Sequence, residues 1–266
     1  MRTIYFFTTL FFLGTLSAIA QQQDSAKKVS KWKIGVEIGT IEPITETGYN
    51  ILFTQFESMG VYSHERNNSG SFGITGSYLT KSGCGFRLST KYGLYKSSRT
   101  FDNREFSAGS IPYDPYTIDT FSVKQPSLIF SPGMFWNFSF KKINLIGGFQ
   151  MIGQVYSPAK ERHIHRYYDL QTNTLLDYRT YDYKLTGGYS IGLAPFVGFS
   201  VNIFKHISLG AEFSSTYAYY HTGGQFSYTE TRIYPGWLEQ GYVDTHTYNA
   251  FKFSRLNTSI ALSYNF

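Results

Sequence analysis

The feature that most constrains the fold of this chain is a period-two alternation of apolar and polar residues that recurs eight times. The alternating segments span residues 31–39, 71–80, 85–95, 127–138, 143–156, 188–203, 207–214 and 256–266. Such alternation is typical of β-strands, whose successive side chains point to opposite faces. Long and short connections follow one another between the segments. An antiparallel up-and-down meander with this spacing places the four long connections at one end and both chain termini at the other.

The two faces of the predicted strands differ in a way that favours a membrane barrel. One face is aliphatic and aromatic, and the other is dominated by Gly, Ser, Asn and Gln with isolated charges, which suits a narrow lumen. No stretch after the first twenty residues is apolar for about 18 positions, so a helical membrane span is excluded. A secreted sandwich would instead have to expose the polar face and bury the apolar one. We therefore predict an all-β, eight-stranded antiparallel up-and-down transmembrane β-barrel, with ten strands as the alternative.

The amino-terminal residues have the pattern of a secretory signal peptide. Arg2 precedes an apolar run at 4–16, and an A-x-A site predicts cleavage between Ala20 and Gln21. The residue directly after the site is Gln21 and not Cys, so a lipid anchor is not expected. The predicted organisation is a signal peptide (1–20), a periplasmic lead (21–30) and an outer-membrane β-barrel domain (31–266).

Several stretches carry a family resemblance. They are the Gln start after the cleavage site, Gln-Pro-Ser-Leu at 125–128, Ile-Gly-Gly-Phe at 146–149 and the alternating carboxyl-terminal segment 256–266. With these stretches the sequence resembles the small outer-membrane β-barrel family common in Bacteroidota, of the eight-stranded type of OmpX and OmpA barrels. The resemblance implies a fold and a location in the bacterial outer membrane with both termini periplasmic. It implies no activity.

The carboxyl-terminal segment ends on an aromatic residue. Leu262, Tyr264 and Phe266 fall on its apolar face. The pattern resembles the signal that the barrel-assembly machinery reads, so we expect that machinery to be a partner and these three residues to form the assembly signal.

Charged residues on the polar faces predict a network inside the lumen. The six residues are Lys33, Glu37, Arg87, Lys91, Glu212 and Arg255. An eight-stranded barrel has room only for side chains, so opposite charges are expected to satisfy one another. An ion path is the alternative interpretation. Two local features are also predicted: a tight turn at 81–84 with a left-handed Gly83, and a bulge or distortion at Pro132, which has no N–H to donate.

A pair of histidines in the third long connection is a candidate metal site. His163 and His165 share a face of an extended segment, and His221 and His246 in the next long connection would complete a ligand set. Two-residue spacing of loop histidines is a weak signal. We therefore expect no metal ion and no cofactor.

The long connections are rich in tyrosine. The third is predicted to form a hairpin that turns at 171–174, the fourth to turn near 235–237, and the second to be stiffened by Pro112 and Pro115. Tyrosine-rich tips suit the binding of an extracellular protein or glycan. The same side chains also stabilise projecting hairpins and an interfacial girdle, and the sequence does not separate the two interpretations.

Charge and site chemistry limit the function. The net charge of +6 is spread along the chain without a Lys/Arg cluster, so nucleic acid is not an expected partner, whereas outer-membrane lipid and lipopolysaccharide are. No catalytic residue is assigned, because we identify no defensible pairing of His and Ser side chains on adjacent strands. We predict a non-enzymatic cell-surface barrel whose long loops contact external or envelope partners. The alternatives are a narrow channel for small or hydrophobic solutes and a lipid A-modifying hydrolase.

Overall fold

The computed structural model describes residues 32–41, 62–103, 116–140, 143–232, 237–254 and 256–266. The predicted signal peptide, its Ala20–Gln21 cleavage site and the periplasmic lead lie outside these residues. Thirteen strands form one antiparallel sheet within the described part of the chain. They are β1 (Trp32–Gly39), β2 (Tyr62–Asn67), β3 (Gly70–Leu79), β4 (Cys84–Asp102), β5 (Tyr116–Phe140), β6 (Ile143–Tyr156), β7 (Lys160–Tyr168), β8 (Leu175–Lys184), β9 (Gly188–Asn202), β10 (Ile207–Ser214), β11 (Tyr217–Arg232), β12 (Trp237–Phe253) and β13 (Asn257–Asn265). In the same residues no helix has the length and apolar character needed to cross a membrane.

Eight of the strands close into a ring. Their order is β1, β3, β4, β5, β6, β9, β10 and β13, and β13 pairs back onto β1. The closing pair aligns Ile34 with Tyr264 and Val36 with Leu262. Each ring strand includes most of one of the eight alternating segments, so the predicted eight-stranded barrel is confirmed and the ten-stranded alternative is not needed.

The two faces of the ring separate polar from apolar residues. The inner face buries Ser89, Ser131 and Ser200, whereas outward residues such as Ile34, Leu128 and Ile260 are each about half exposed. A closed sheet has no second layer that could cover its outer face, and lipid tails are the solvent that accepts such a face. The ring is therefore a transmembrane β-barrel.

The two ends of the barrel differ. We call the end with the short turns and the carboxyl terminus the lower end. The turn between β3 and β4 places Gly83 at φ = +80°, as predicted. At the opposite, upper end the strands continue beyond the ring: β4 reaches Asp102 and β5 begins at Tyr116. The long connection expected between the segments 85–95 and 127–138 is therefore shorter than predicted, because β4 continues to Asp102 and β5 begins at Tyr116.

These extended strands combine with the other upper strands into a second part of the sheet, the extension. Its order is β2, β4, β5, β7, β8, β11 and β12. The predicted hairpin in the third connection is confirmed, since β7 pairs with β8 around a turn in which Asn173 has φ = +55°. The fourth connection forms the β11–β12 hairpin, whose turn at 233–236 lies outside the described residues. The same holds for Pro112 and Pro115.

The extension has a small apolar core of its own. Phe101, Phe121, Val123, Ala159 and Leu185 are buried together, and the Phe101 and Phe121 rings meet edge to face with centroids 5.7 Å apart. This cluster lies above the barrel on the inward side of the strands. Burial contributes roughly 1.5–3 kcal/mol for each of the Phe, Val and Leu side chains, so the extension is a folded unit rather than a set of separate loops.

Pro132 interrupts one ladder without a bulge. The β5–β6 pairing stops after Phe130–Gly153 and resumes at Gly133–Gln150 in the same register. The expected irregularity is therefore a distortion of the ladder and not a bulge, because the missing N–H removes ladder contacts locally but inserts no extra residue.

Candidate functional site

The lumen of the barrel contains an ion pair that spans its diameter. β4 and β10 are four strands apart in either direction around the eight-stranded ring. Arg87 Nη1 lies 2.5 Å from Glu212 Oε2, and Arg87 Nη2 donates to Glu212 Oε1 at 3.0 Å. A two-point contact between a guanidinium and a carboxylate is the strongest geometry available to this pair of residues.

Arg87 also contacts two further strands. Its Nη2 donates to Gln150 Oε1 on β6 at 2.9 Å, and the guanidinium carbon lies 4.2 Å from the centroid of the Phe196 ring on β9. On β9, Phe196 is the aromatic exception on an otherwise small and polar inner face. Side chains from four strands therefore meet at one level of the lumen.

A second ion pair joins neighbouring parts of the ring. Lys91 Nζ on β4 lies 2.5 Å from Glu37 Oε1 on β1, and Thr75 Oγ1 on the intervening β3 donates to Glu37 Oε2 at 2.9 Å. Lys33 lines a cavity of about 360 Å³ that reaches Arg87 and the lower end of the barrel.

The structure thus brings four of the six predicted lumen charges into two ion pairs. Both acids, Glu37 and Glu212, pair with residues of β4. Arg255 itself lies outside the described residues.

The carboxyl-terminal residues complete the ring at its seam. Leu262, Tyr264 and Phe266 point outward on the lipid-facing side, and the backbone N–H of Phe266 donates to the Trp32 carbonyl at 3.0 Å. The ladder between the first and last ring strands therefore continues to the final residue. Their role as an assembly signal remains a prediction.

A second cluster of titratable residues lies in the extension. Asp119 on β5 is buried, with 1% of its surface exposed, and faces His163 and His165 on the adjacent β7. His163 Nε2 lies 2.6 Å from Asp119 Oδ1, and His165 Nδ1 contacts the same oxygen. The His163 ring is stacked between Phe121 and Tyr181, with centroid distances of 4.1 Å and 5.2 Å.

This cluster has a defined electrostatic state. Burial raises the pKa of Asp119, but the hydrogen bonds from His163 and His165 outweigh burial and hold that pKa below its usual value. The carboxylate is therefore charged at neutral pH and serves as the common acceptor for two imidazoles. One carboxylate and two imidazoles within 4.8 Å of one another are also a donor set that suits a divalent ion such as Zn²⁺.

The composition of this cluster differs from the sequence expectation. His221 does not join it but has its Nδ1 2.6 Å from Asn249 Oδ1 on β12, and the side chain of His246 lies outside the described residues. Asp119 takes their place and was missed by the sequence argument. The signal was present, because the alternation of β5 continues through 117–123, where Asp119, Phe121 and Val123 share one face.

A buried acid lies next to the cluster. Glu161 precedes His163 by two residues on the same face of β7 and is 4% exposed. Burial raises its pKa to about 8. Opposite it on β8, burial and the charge of Glu161 raise the pKa of Tyr183 to about 12. The extension therefore contains one carboxyl group, Glu161, that is mostly protonated at neutral pH and another, Asp119, that is ionised.

Many tyrosines of the extension are engaged in its own packing. The Tyr116 and Tyr168 rings are stacked with centroids 5.1 Å apart, and the Arg179 guanidinium lies 5.1 Å from the centroid of the Tyr167 ring. These contacts support the interpretation that aromatic residues stabilise the hairpins.

Of the comparisons with known proteins, the one with solved structures gives matches. No protein-family model and no curated protein matches the chain. Among solved structures, a major outer membrane protein from Thermus thermophilus matches with 12% identity over 88% of this chain and 99% of that one, at a TM-score of 0.38. The outer membrane protease OmpT from Escherichia coli matches with 9% identity over 92% of this chain and 99% of that one, at a TM-score of 0.34. At such low identity and TM-score, neither match carries an argument about this chain, and its β-barrel architecture rests on its own strand pairing.

Proposed function

We propose that this protein is a non-enzymatic barrel of the bacterial outer membrane, with its termini in the periplasm and its extension on the cell surface. The extension would bind an extracellular or envelope partner. One observation carries the proposal: the upper strands form one continuous sheet with its own core of Phe101, Phe121, Val123, Ala159 and Leu185. A preformed surface loses less conformational entropy on binding than separate loops do.

The tip of the extension offers a contact surface. Leu175 and Leu176 at the start of β8 are about half exposed and lie at the turn end of the β7–β8 hairpin. Exposed leucines at the end of a rigid hairpin have no lipid to cover them and favour a contact with another molecule. A protein or glycan with an apolar face is the class of partner that fits.

The contacts in the lumen support a role other than conduction. Arg87 reaches Glu212 across the barrel and touches Gln150 and Phe196 at the same level. A solute path would require these charge-assisted contacts to part in a low-dielectric interior, at a cost of several kcal/mol.

Binding assays test the proposal directly. The full-length protein in lipid nanodiscs would be applied to arrays of bacterial-surface glycans and extracellular matrix proteins. We expect reproducible binding that Leu175→Ser/Leu176→Ser abolishes and that the control Thr245→Ser, on an exposed part of β12, leaves unchanged. Binding that is equal for all three proteins would contradict the role of the tip.

Planar-bilayer recordings test the channel alternative. The protein should show no discrete conductance, whereas Arg87→Ala/Glu212→Ala, which removes both halves of the diametral pair, should admit small ions. Discrete conductance by the unmodified protein would favour the channel function over the proposed one.

A further inference from the structure

Four lysines form one row across the outer face of the extension. Lys96 on β4, Lys124 on β5, Lys160 on β7 and Lys184 on β8 are directly opposed in register, each to the next. All four side chains are exposed on the side that faces away from the barrel axis. These residues, up to 88 positions apart in the chain, are what we call the lysine row.

Such an arrangement is unfavourable in the isolated protein. Directly opposed residues have Cβ atoms about 4.5–5.5 Å apart, and like charges at that separation destabilise a sheet. Within the described residues none of the four ammonium groups forms an ion pair with a carboxylate. The acid in the next row, Asp182, is held by Arg162 at 2.6 Å, and Glu161 points to the opposite face.

The surface around the row is concave and basic. A groove of about 780 Å³ is lined by the lysine row together with Arg66 and Arg162, and Asp182 is its only acidic residue on the outer face. Three interstrand steps of about 4.8 Å give the row a length of roughly 14 Å. That length accommodates two phosphate groups, each between a pair of lysines.

The position of the lysine row indicates which kind of molecule carries the anionic groups that would neutralise it. On the same outer face, Leu94 lies two residues from Lys96, and the lipid-facing Leu128 lies four residues from Lys124. At about 3.3 Å per residue, the row is roughly 7–13 Å along the strands from the apolar band. This is the height of lipid headgroups when the band lies in the hydrocarbon core.

We propose that the lysine row is a binding site for the phosphate groups of a phosphorylated lipid in the leaflet on the side of the extension. The acyl chains lie against the apolar band while the phosphates lie between the lysine ammonium groups. A free anion would gain only the second contact, which is why the observations favour a lipid-borne phosphate. This inference does not depend on an external partner of the tip.

Lipid titration of the full-length protein in detergent tests the site. The probes are diphosphorylated lipid A, its dephosphorylated form and inorganic phosphate, with bound lipid counted by native mass spectrometry. We expect diphosphorylated lipid A to bind most tightly. Lys124→Ser/Lys160→Ser should weaken its binding at least tenfold, whereas the control Lys81→Ser/Lys205→Ser, at exposed turns of the lower end, should not change it.

The same variants supply a readout that does not require lipid. In the lipid-free protein at low salt, the Tm of Lys124→Ser/Lys160→Ser should be no lower than that of the unmodified protein, because the substitutions remove repulsion between lysines. Any gain in the Tm of the variant should shrink when salt is added, because salt screens that repulsion. Equal binding of the dephosphorylated lipid, equal binding by the row variant, or inorganic phosphate that binds as tightly as the lipid would each overturn the proposal.

Discussion

Arg87 and Glu212 extend from opposite walls of the barrel and meet in a two-point ion pair, with N–O distances of 2.5 Å and 3.0 Å. The two residues are 125 positions apart in the chain. Their contact ties together strands that share no ladder and occupies the lumen at the level of Gln150 and Phe196. Because removal of one partner leaves a buried charge without compensation, this pair offers a sensitive test of how the interior is held.

Glu212→Gln should destabilise the barrel by about 3–5 kcal/mol, the usual consequence of leaving one member of a buried ion pair alone. Urea unfolding in lipid vesicles, followed by tryptophan fluorescence, measures the change. Arg87→Met/Glu212→Met, which removes both charges, should recover most of the loss. A Glu212→Gln protein as stable as an exposed control, Lys81→Gln, would show that the pair does not stabilise the fold.

Glu161 should make the stability of the extension depend on pH. Its pKa is raised by burial from 4.5 to about 8, so the folded state holds its proton more tightly than the unfolded state. The stability that the protonated Glu161 adds to the extension is fully present below pH 4.5. As the pH rises, the free energy of unfolding falls by no more than about 1.4 kcal/mol per pH unit, and the added stability is lost once the pH passes 8.

Hydrogen exchange of the β7 and β8 amides, corrected for intrinsic rates, measures this dependence. Glu161→Gln should flatten the profile between pH 5 and 8 (roughly the window that the two pKa values define), whereas Asp182→Asn, at an exposed carboxylate, should not. A profile that Glu161→Gln leaves unchanged would assign the dependence to another group.

Asp119→Asn should loosen the extension and leave the ring intact. The substitution removes the negative charge that accepts from both His163 and His165, and the loss of a buried charged acceptor costs about 1–3 kcal/mol. The pKa of Asp119 lies below its usual value. Its contribution is therefore present above pH 3.8 and is lost as the pH falls through the lowered pKa.

Limited proteolysis separates the two parts of the molecule in this test. In Asp119→Asn, cleavage within β7 and β8 should become faster while the heat-modifiable electrophoretic mobility of the barrel is retained. Thr120→Ser, a neighbouring substitution on the opposite face, serves as the control. Unchanged cleavage rates would show that the imidazoles find an equivalent acceptor.

Deletion of Phe266 should impair assembly more than any change at the extension. The deletion removes the last outward aromatic side chain and the N–H that donates to the Trp32 carbonyl at the seam. The fraction of folded barrel in outer-membrane preparations measures assembly, with Leu175→Ser/Leu176→Ser as the comparison. Normal insertion of the shortened chain would refute the assembly signal.

The strands of the barrel could be predicted from the sequence for a physical reason. A strand between lipid and a packed lumen must alternate, and the segments that end at Gly39 and Phe266 do so without interruption. The upper parts of β4 and β5 were not predicted as strand. Above the membrane their outer face carries Lys96, Ser98, Ser122 and Lys124, so the apolar half of the alternating pattern is missing at these positions.

By itself, the sequence determined which residues form ring strands and which side of each strand faces lipid. It also indicated that the sheet closes, because backbone groups in lipid must pair with one another. Only the tertiary structure decided which residues meet across strands. Sequence reasoning found lysines spread without a cluster, and the register aligns four of them in one row. The tertiary structure likewise pairs Glu37 with Lys91, Glu212 with Arg87, and Asp119 with the two histidines. Alternation fixes the face of a residue but not its height, and height depends on strand register and shear, which are set when the whole ring closes.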